Sequence, residues 1–300
     1  MKSLVVFNQE NSIMRGLILV TGVTGTVGQE VVKSLVKKNI KIRVGVRNLK
    51  KIESMPWFSR VESVILDYEK PETLKNALVG VSKLFLVTPP GTYREEEVSR
   101  SILLQGEEQR LKHIVRLSGM GADKHNLFGN HHAADMLLLS SNIDYTALQP
   151  NTYMQNFYNY STSIKEKQKI IEPAANGKMS FIDARDIAEV ATTVLIEAGH
   201  INTIYELTGG ESLSYYQVAK QFSELLGKEI IYQPLSAQEY ISIKEAEGMP
   251  AEFVERFVQF FQMVKNGEYA HVSSTVEKIL CRPPITLKQF ITDYRDRFVF

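Results

Sequence analysis

The feature that most constrains the fold is a glycine-rich turn between an apolar run and an amphipathic segment. The run Leu17–Val20 leads into Gly22-Val23-Thr24-Gly25-Thr26-Val27-Gly28. Where a strand enters such a turn and continues as a helix, unpaired backbone N–H groups converge at the positive end of the helix dipole. Glycine suits the turn because a Cβ would block positive φ and hold a phosphate away from the backbone. The pattern indicates a pyrophosphate site, although its G-x-x-G-x-x-G spacing also fits a plain strand-to-helix turn.

The segments after the turn predict a βαβ unit. Apolar side chains recur at helical spacing at Val27, Val31, Val32, Leu35 and Val36, and the next strand is expected over Ile40–Val46. Strand and helix patterns keep alternating as far as Gln149, which completes six βα repeats. This alternation predicts an α/β Rossmann fold, that is, a doubly wound parallel sheet with helices on both faces.

Arg47 bears on the choice of cofactor. It ends the second predicted strand, 19 residues after Gly28, about where such units carry the group that meets the adenosine ribose. An acid there would favour a free 2′-hydroxyl, whereas a guanidinium matches a 2′-phosphate. The sequence therefore predicts NADP(H), with a solvated surface arginine as the alternative.

Two later strand ends point to the same edge of the sheet. Asp67 follows the third strand and is interpreted either as an acceptor for an adenine amino group or as a turn aspartate. The fourth strand stops at Thr88-Pro89-Pro90-Gly91, which cannot continue a ladder. Ligands of doubly wound sheets lie outside the carboxyl ends of the strands, so this loop is expected over the middle of the cofactor.

Composition excludes several classes of protein. The 300 residues are 44% hydrophobic and carry a net charge of +1 without a basic stripe, so we expect no direct binding of nucleic acid. One cysteine, Cys281, excludes an intramolecular disulfide and a cysteine metal cluster, and no metal site is predicted. We expect no secretory signal, and no run of the sequence reaches about 18 apolar residues. We expect a cytoplasmic protein without membrane contact. Its oligomeric state is left open, with a homodimer as one option.

The pattern changes after Pro150. Asn151–Tyr160 is dense in aromatic and amide side chains, which fits a pocket lining or ordinary core packing. We expect a disordered leader over residues 1–14, or an over-long start ahead of Met14, and a Rossmann domain over 15–155, to which 178–207 contribute. Residues 156–177 and 208–300 are expected to form a smaller, mostly helical part over the cofactor cleft.

The chain resembles the NmrA-like family of atypical short-chain dehydrogenases/reductases from about Arg15 to the C-terminus. The resemblance is carried by the glycine turn together with Val46-Arg47-Asn48, Leu66-Asp67-Tyr68, Gly80-Val81-Ser82-Lys83-Leu84, Tyr145-Thr146-Ala147-Leu148-Gln149-Pro150-Asn151 and Ile182-Asp183-Ala184-Arg185-Asp186-Ile187-Ala188. Residues 190–207 and the helical tail look most like the bacterial NADPH-dependent quinone reductase and triphenylmethane reductase branch.

The resemblance implies which residues face the cofactor. After the fourth and sixth strands they are Val87, Thr88, Pro89, Pro150, Asn151, Thr152 and Tyr153, in addition to Gly22, Thr24, Gly25, Thr26, Val27 and Gly28 of the turn. Gln149 departs from the pattern, because many relatives have arginine there, and a structural contact of that arginine is expected to be lost.

The catalytic pair of the classical relatives is missing. They use a serine after the fifth strand and Tyr-x-x-x-Lys, whose lysine lowers the pKa of the tyrosine. Ser118 is present, but His131 and Asp135 occupy the tyrosine and lysine positions. Ser118 and His131 are thus the candidate catalytic residues. His131 is expected either to donate a proton or to pack at the site with Asp135 as its partner.

Two functions fit these observations. The first is a reductase that moves hydride from NADPH directly to an electron-poor small molecule such as a quinone or a dye, for which positioning supplies much of the catalysis. The second is a non-catalytic NADP(H)-binding redox sensor that signals to a protein partner. An alcohol dehydrogenase or a sugar epimerase ranks below both, since each needs the missing tyrosine.

Overall fold

The computed structural model describes residues 16–89, 94–125, 127 and 129–300 of the chain. The expected leader over residues 1–14 lies outside these residues, as do Pro90 and Gly91. Contacts divide the chain into two compact units. The first comprises the described residues up to Gln149 with Ile187–Tyr205, and the second comprises Pro150–Asp186 with Glu206–Phe300. The domain borders expected from the sequence differ from these by a few residues and stay a prediction.

The chain alternates strands and helices up to residue 150. The elements are β1 (Leu17–Val20), α1 (Thr26–Lys37), β2 (Ile42–Val46), β3 (Glu62–Ile65), α2 (Pro71–Leu78), β4 (Val81–Leu86), α3 (Glu95–Glu108), β5 (His113–Leu117), α4 (His131–Leu139) and β6 (Asp144–Pro150).

The rest of the chain is richer in helix. Its elements are α5 (Ser161–Glu166), β7 (Lys169–Glu172), β8 (Lys178–Met179), α6 (Ala184–Ile196), β9 (Thr203–Leu207), β10 (Leu213–Ser214), α7 (Tyr215–Leu226), β11 (Ile231–Pro234), α8 (Ala237–Ala246), α9 (Ala251–Lys265), α10 (Thr275–Leu280) and α11 (Leu287–Asp293). Short 3₁₀ turns cover Leu49–Lys51, Phe58–Arg60, Met154–Tyr160 and Arg295–Arg297. Within the described ranges, no helix combines the length and hydropathy that a membrane crossing requires.

The main sheet has seven strands in the order β3-β2-β1-β4-β5-β6-β9, which confirms the predicted doubly wound α/β fold. The pairings of β1 to β6 are parallel. At the β9 edge, Asn202 N–H donates to the Tyr145 carbonyl at 2.5 Å and Asn151 N–H donates to the Leu207 carbonyl at 2.9 Å. The strand order reverses between β1 and β4, the switch point at which such sheets bind ligands.

Burial explains why these segments form the sheet and its helices. All four residues of β1 are buried, as expected of a central parallel strand covered on both faces. Helix α1 buries Val31, Val32 and Leu35 on one face and exposes lysines on the other. At helix α2, Pro71 occupies the first turn, where its missing N–H costs no hydrogen bond.

In the second unit, the aromatic segment contributes to the core. The ring of Phe157 is 1% exposed and lies 4.9 Å from the ring of Phe181 and 5.7 Å from that of Phe222, between centroids. Helices α7 and α8 begin at capping boxes on Ser214 and Ser236. For Phe157, therefore, the structure favours core packing over a pocket lining.

Glu172 is an acid buried inside the second unit. Its Oε1 accepts a 2.7 Å hydrogen bond from the Tyr160 hydroxyl, while Oε2 has no hydrogen-bond partner among the described residues. Burial raises the pKa of Glu172 to about 7. Between its ordinary value of 4.5 and about 7, the folded chain keeps a proton that the unfolded chain has lost. The free energy of unfolding therefore falls as pH rises through this window.

We predict that Glu172→Gln removes this pH dependence. The thermal midpoint of the variant should rise relative to that of the wild type between about pH 5 and about pH 8, because the amide carries no charge at either pH. Differential scanning calorimetry at both pH values measures the shift. Glu166→Gln is the matched control, since Glu166 is an exposed acid of the same unit. A midpoint difference that does not change with pH would contradict the assignment.

Candidate functional site

The glycine turn after β1 packs against β4 with no room for side chains at two positions. Gly22 has a φ of +66°, and a Cβ there would lie 2.6 Å from the Cβ of Val87. A Cβ at Gly28 would lie 2.2 Å from the carbonyl oxygen of Gly22. Both glycines are therefore required by the backbone itself.

Gly25 is different, because its backbone is extended and an ideal Cβ there would approach a single atom within 4 Å. Its φ is −93°, and the nearest atom to an ideal Cβ is the Gly22 carbonyl oxygen at 3.3 Å. Gly25 is the N-cap residue of α1 and provides no side chain to cap it. The N–H groups of the first helical turn, at Thr26, Val27 and Gly28, thus remain available to a ligand.

A cleft of about 530 Å³ lies in front of this turn within the first unit. It is lined by Thr21, Gly22, Val23, Thr24, Gly25, Gly45, Val46, Arg47, Asn48, Lys51, Leu66, Tyr68, Val87, Thr88 and Pro89. The structure thus brings together most of the cofactor residues predicted from the turn, from β2 and from the end of β4.

Two exposed cations stand at the β2 side of the cleft. Arg47 follows β2, and Lys51 lies on the 3₁₀ turn that Asn48 caps by accepting a 3.0 Å hydrogen bond from the N–H of Lys50. Neither Arg47 nor Lys51 forms an ion pair with any described residue. Sequence reasoning missed Lys51, although a lysine four residues after Arg47 was a usable signal.

Thr21 and Tyr68 also line the cleft without having been singled out. The Thr21 hydroxyl lies 3.1 Å from the Phe85 carbonyl and accepts a 2.8 Å hydrogen bond from the N–H of Val87, which joins the ends of β1 and β4. The Tyr68 hydroxyl donates to the Val87 carbonyl at 3.3 Å, and burial raises the pKa of Tyr68 to about 12.

Asp67 accepts a 3.2 Å hydrogen bond from the N–H of Glu69, as a turn aspartate does, and its adenine contact stays a prediction.

A second group of polar side chains surrounds the carboxyl end of β5. We call it the Asp135 cluster, and its members are Arg116, Ser118, His131, Asp135, Tyr145 and Gln149. Asp135 is fully buried and accepts hydrogen bonds from Arg116 Nη1 (2.5 Å), Ser118 Oγ (2.6 Å), the Tyr145 hydroxyl (2.6 Å) and Gln149 Nε2 (3.1 Å). Four donors satisfy a carboxylate that would otherwise be costly to bury.

Arg116 places a cation in this cluster that sequence analysis missed. Its side chain is fully buried, and besides Asp135 it contacts His131, whose Nδ1 lies 3.1 Å from Nη2. Arg116 therefore lies between His131 and Asp135, which were expected to be direct partners. Gln149 donates to Asp135 as well, and the loss of an arginine contact at this position stays a prediction.

The protonation of His131 follows from these contacts. A guanidinium can only donate, so Nδ1 accepts and the neutral ring carries its proton on Nε2. Burial and the charge of Arg116 lower the pKa of His131, against smaller opposite effects of Glu95 and Asp135. Ser118 donates its hydroxyl proton to Asp135 and can only accept a hydrogen bond from a ligand.

The remaining predicted cofactor residues belong to the second unit. Pro150 ends β6. Asn151 donates from its amide to Ser180 Oγ at 2.7 Å and to the Tyr269 carbonyl at 2.9 Å. Its Oδ1 accepts from the N–H of Thr152 at 2.7 Å, and Tyr153 forms a bridge with Ile182. Their contacts with a cofactor stay predictions.

Comparison with known proteins identifies the family. The family model described as NmrA-like matches residues 14–291. The chain belongs to the NmrA-like family. It is 31% identical over 277 residues to the NAD(P)H azoreductase of Xenophilus azovorans, a match that covers 91% of this chain and 96% of that protein.

Two solved structures of similar proteins contain a nucleotide. The NADPH-dependent quinone oxidoreductase of Escherichia coli complexed with NADPH has 26% identity and a TM-score of 0.83, over 92% of this chain and 99% of that one. The Citrobacter triphenylmethane reductase complexed with NADP(H) has 27% identity and a TM-score of 0.81, with the same coverage of 92% and 99%. The expected family and branch are confirmed.

We predict that Gly22→Ala destabilises the fold more than Gly25→Ala does. Alanine at Gly22 would take a left-handed backbone and meet Val87, which together should cost about 2 kcal/mol or more. Alanine at Gly25 keeps an ordinary extended backbone and meets only the Gly22 carbonyl oxygen at 3.3 Å, so its free energy of unfolding should fall by less than about 1 kcal/mol. Urea denaturation of the three proteins compares these values, and equal stabilities would contradict the packing described for Gly22.

Proposed function

We propose that the protein is an NADPH-dependent oxidoreductase that transfers hydride to an electron-poor small molecule, such as a quinone or an azo or triphenylmethane dye. The observation that carries the proposal is the pairing, in one cleft, of a helix start without a side-chain cap at Gly25 with two cations, Arg47 and Lys51, that form no ion pair with any described residue. The named activities of the azoreductase, the quinone oxidoreductase and the triphenylmethane reductase support it.

The residues of the cleft fit NADP(H). Gly25, which has no side chain, and the first N–H groups of α1 would bind the pyrophosphate. Arg47 and Lys51 would bind the 2′-phosphate. Thr88 and Pro89 line the same cleft. When bound, the cofactor supplies a hydride from its nicotinamide.

The sheet order gives the bound cofactor a direction. Arg47 follows β2 on one side of β1, while β4 and then β5 lie on the other. Neighbouring strands are about 4.8 Å apart, so the end of β5 lies about 10 Å from β1. With the 2′-phosphate at Arg47, the nicotinamide half would extend towards β5, where His131 and Ser118 are the proposed residues beside the reacting atoms.

The Asp135 cluster also bears on the alternative function, a non-catalytic redox sensor. That alternative rested on the missing Tyr-x-x-x-Lys, but the Asp135 cluster offers a buried cation and a histidine that bonds to it. NADPH oxidation against a panel of quinones and dyes tests the choice. Turnover supports the reductase, whereas tight NADPH binding without turnover of any acceptor would favour the sensor. A cytoplasmic location, a homodimer and the lack of nucleic-acid binding stay predictions from the sequence.

We predict that Arg47→Ala weakens NADPH binding by about 1.5 to 3 kcal/mol and leaves NADH binding nearly unchanged, because NADH lacks the 2′-phosphate. Lys51→Ala should act in the same direction with a smaller loss, since a lysine makes a less directional contact. Calorimetric titration of both nucleotides measures the effect. Lys38→Ala, at an exposed lysine at the end of α1, is the control. Equal losses for NADPH and NADH would overturn the assignment of Arg47.

We also predict that Gly25→Val abolishes nucleotide binding without unfolding the protein. A branched side chain would fill the space proposed for the pyrophosphate, while the extended backbone of Gly25 accepts valine. Nucleotide titration and the thermal midpoint are measured on the same sample. A folded variant that keeps micromolar affinity for NADPH would mean that the dinucleotide binds elsewhere.

A further inference from the structure

The Asp135 cluster holds His131 by one ring nitrogen, and the other ring nitrogen has no partner among the described residues. Arg116 donates from Nη1 to Asp135 Oδ1 at 2.5 Å and from Nη2 to His131 Nδ1 at 3.1 Å. No described residue forms a hydrogen bond with Nε2 of His131. The side chain of His131 is 24% exposed, whereas Arg116 and Asp135 are fully buried.

We propose that Arg116 is a positioning residue that fixes His131 as a neutral imidazole with its proton on Nε2. His131 then acts as a hydrogen-bond donor to the negative charge that develops on the acceptor, and it does not transfer a proton. This inference rests on the proposed reductase function, and it adds a role for each of the two residues. A neutral histidine used in this way is a known solution for polarising a carbonyl group.

The other polar groups of the cluster cannot take this role. The hydroxyl protons of Ser118 and Tyr145 are both donated to Asp135, at 2.6 Å each. Gln149 donates to the same carboxylate. These side chains, and that of Arg116, are buried, so their remaining N–H groups are enclosed. The Nε2–H group belongs to His131, the member of the cluster whose side chain is 24% exposed.

Charged groups from four parts of the first unit act on His131. Arg116 on β5 and His125 in the loop before α4 disfavour the imidazolium, as does burial. Asp135 on the same helix and Glu95 on α3, whose Oε1 lies 3.9 Å from Nδ1, favour it. The net effect lowers the pKa of His131, in agreement with a guanidinium as the direct partner of Nδ1.

The reaction balances without a proton from His131. The quinone gains a hydride, that is two electrons and one proton, and becomes a hydroquinone monoanion while NADPH becomes NADP⁺. Water supplies the second proton after release. The negative charge on the quinone oxygen is what a neutral Nε2–H group would stabilise. A cationic triphenylmethane dye becomes neutral when it gains a hydride, so it has no such charge to stabilise.

The choice of electron acceptor therefore distinguishes a His131 that donates a hydrogen bond from a His131 that only packs. We expect His131→Phe to lower kcat/KM about a hundredfold with quinones and to leave it within about threefold with a cationic dye. His131→Gln restores an N–H donor and should recover most of the quinone rate. His132→Phe is the matched control, at an exposed neighbour on the same helix. Equal losses with both acceptors, or no loss with quinones, would overturn the proposed role of His131.

The role of Arg116 is tested by the protonation of His131. In wild-type enzyme with NADPH bound, two-bond ¹H–¹⁵N spectra should show a protonated Nε2 and a bare Nδ1, and the quinone rate should be flat above about pH 6.5. Arg116→Met alone would leave the buried carboxylate of Asp135 without its cation. The informative variant is therefore Arg116→Met with Asp135→Asn. In it, the pKa of His131 should rise towards its ordinary value, and the quinone rate should acquire a pH dependence.

The outcomes separate this inference from the proposed function. A proton on Nδ1 in the wild type would overturn the role of Arg116, and this measurement needs no variant. An unchanged tautomer and pH profile in the folded double variant would do the same. If no acceptor oxidises NADPH, the proposed function fails, while the spectra still decide whether Arg116 sets the state of His131.

Discussion

The close approach of the first turn to β4 is the constraint on which the nucleotide cleft depends. Gly22 lies against Val87 at a distance that admits no side chain, and Gly28 lies against the carbonyl of Gly22. Thr21 adds hydrogen bonds from its hydroxyl to the backbone at the end of β4. Together these contacts fix the start of α1 in front of the sheet, so its first N–H groups have a defined direction. Gly25 has an ordinary extended backbone, so its missing side chain is the one that we propose leaves room for a ligand.

A buried ion pair organises the other end of the site. The cost of burying Arg116 and Asp135 is offset only because Asp135 receives four hydrogen bonds and Arg116 bonds to both Asp135 and His131. Such a pair tolerates few alternative arrangements, because any rotation leaves a buried charge without a partner. The helix that carries His131 is thereby tied to β5.

The sequence predicted those parts that depend on local spacing. The turn, β1, α1 and Arg47 were all assigned from periodicity and register, and the parallel sheet followed from the alternation of elements. The contacts of Thr21 with β4 and of Arg116 with α4 join residues far apart in the chain, and no local pattern reports them. One signal was present, however. Arg116 stands inside a strand that should be buried on both faces, where a charge requires a buried partner.

The two ends of the proposed site differ in how they use charge. At the end of β2, Arg47 and Lys51 are exposed cations suited to a phosphate, whose charge is permanent. At the end of β5, the guanidinium is enclosed and balanced by Asp135, and a neutral imidazole is the group with an exposed edge. An exposed cation there would stabilise an anionic product but repel a cationic dye. A neutral donor stabilises the first without repelling the second, which suits a reductase whose relatives act on quinones and on triphenylmethane dyes.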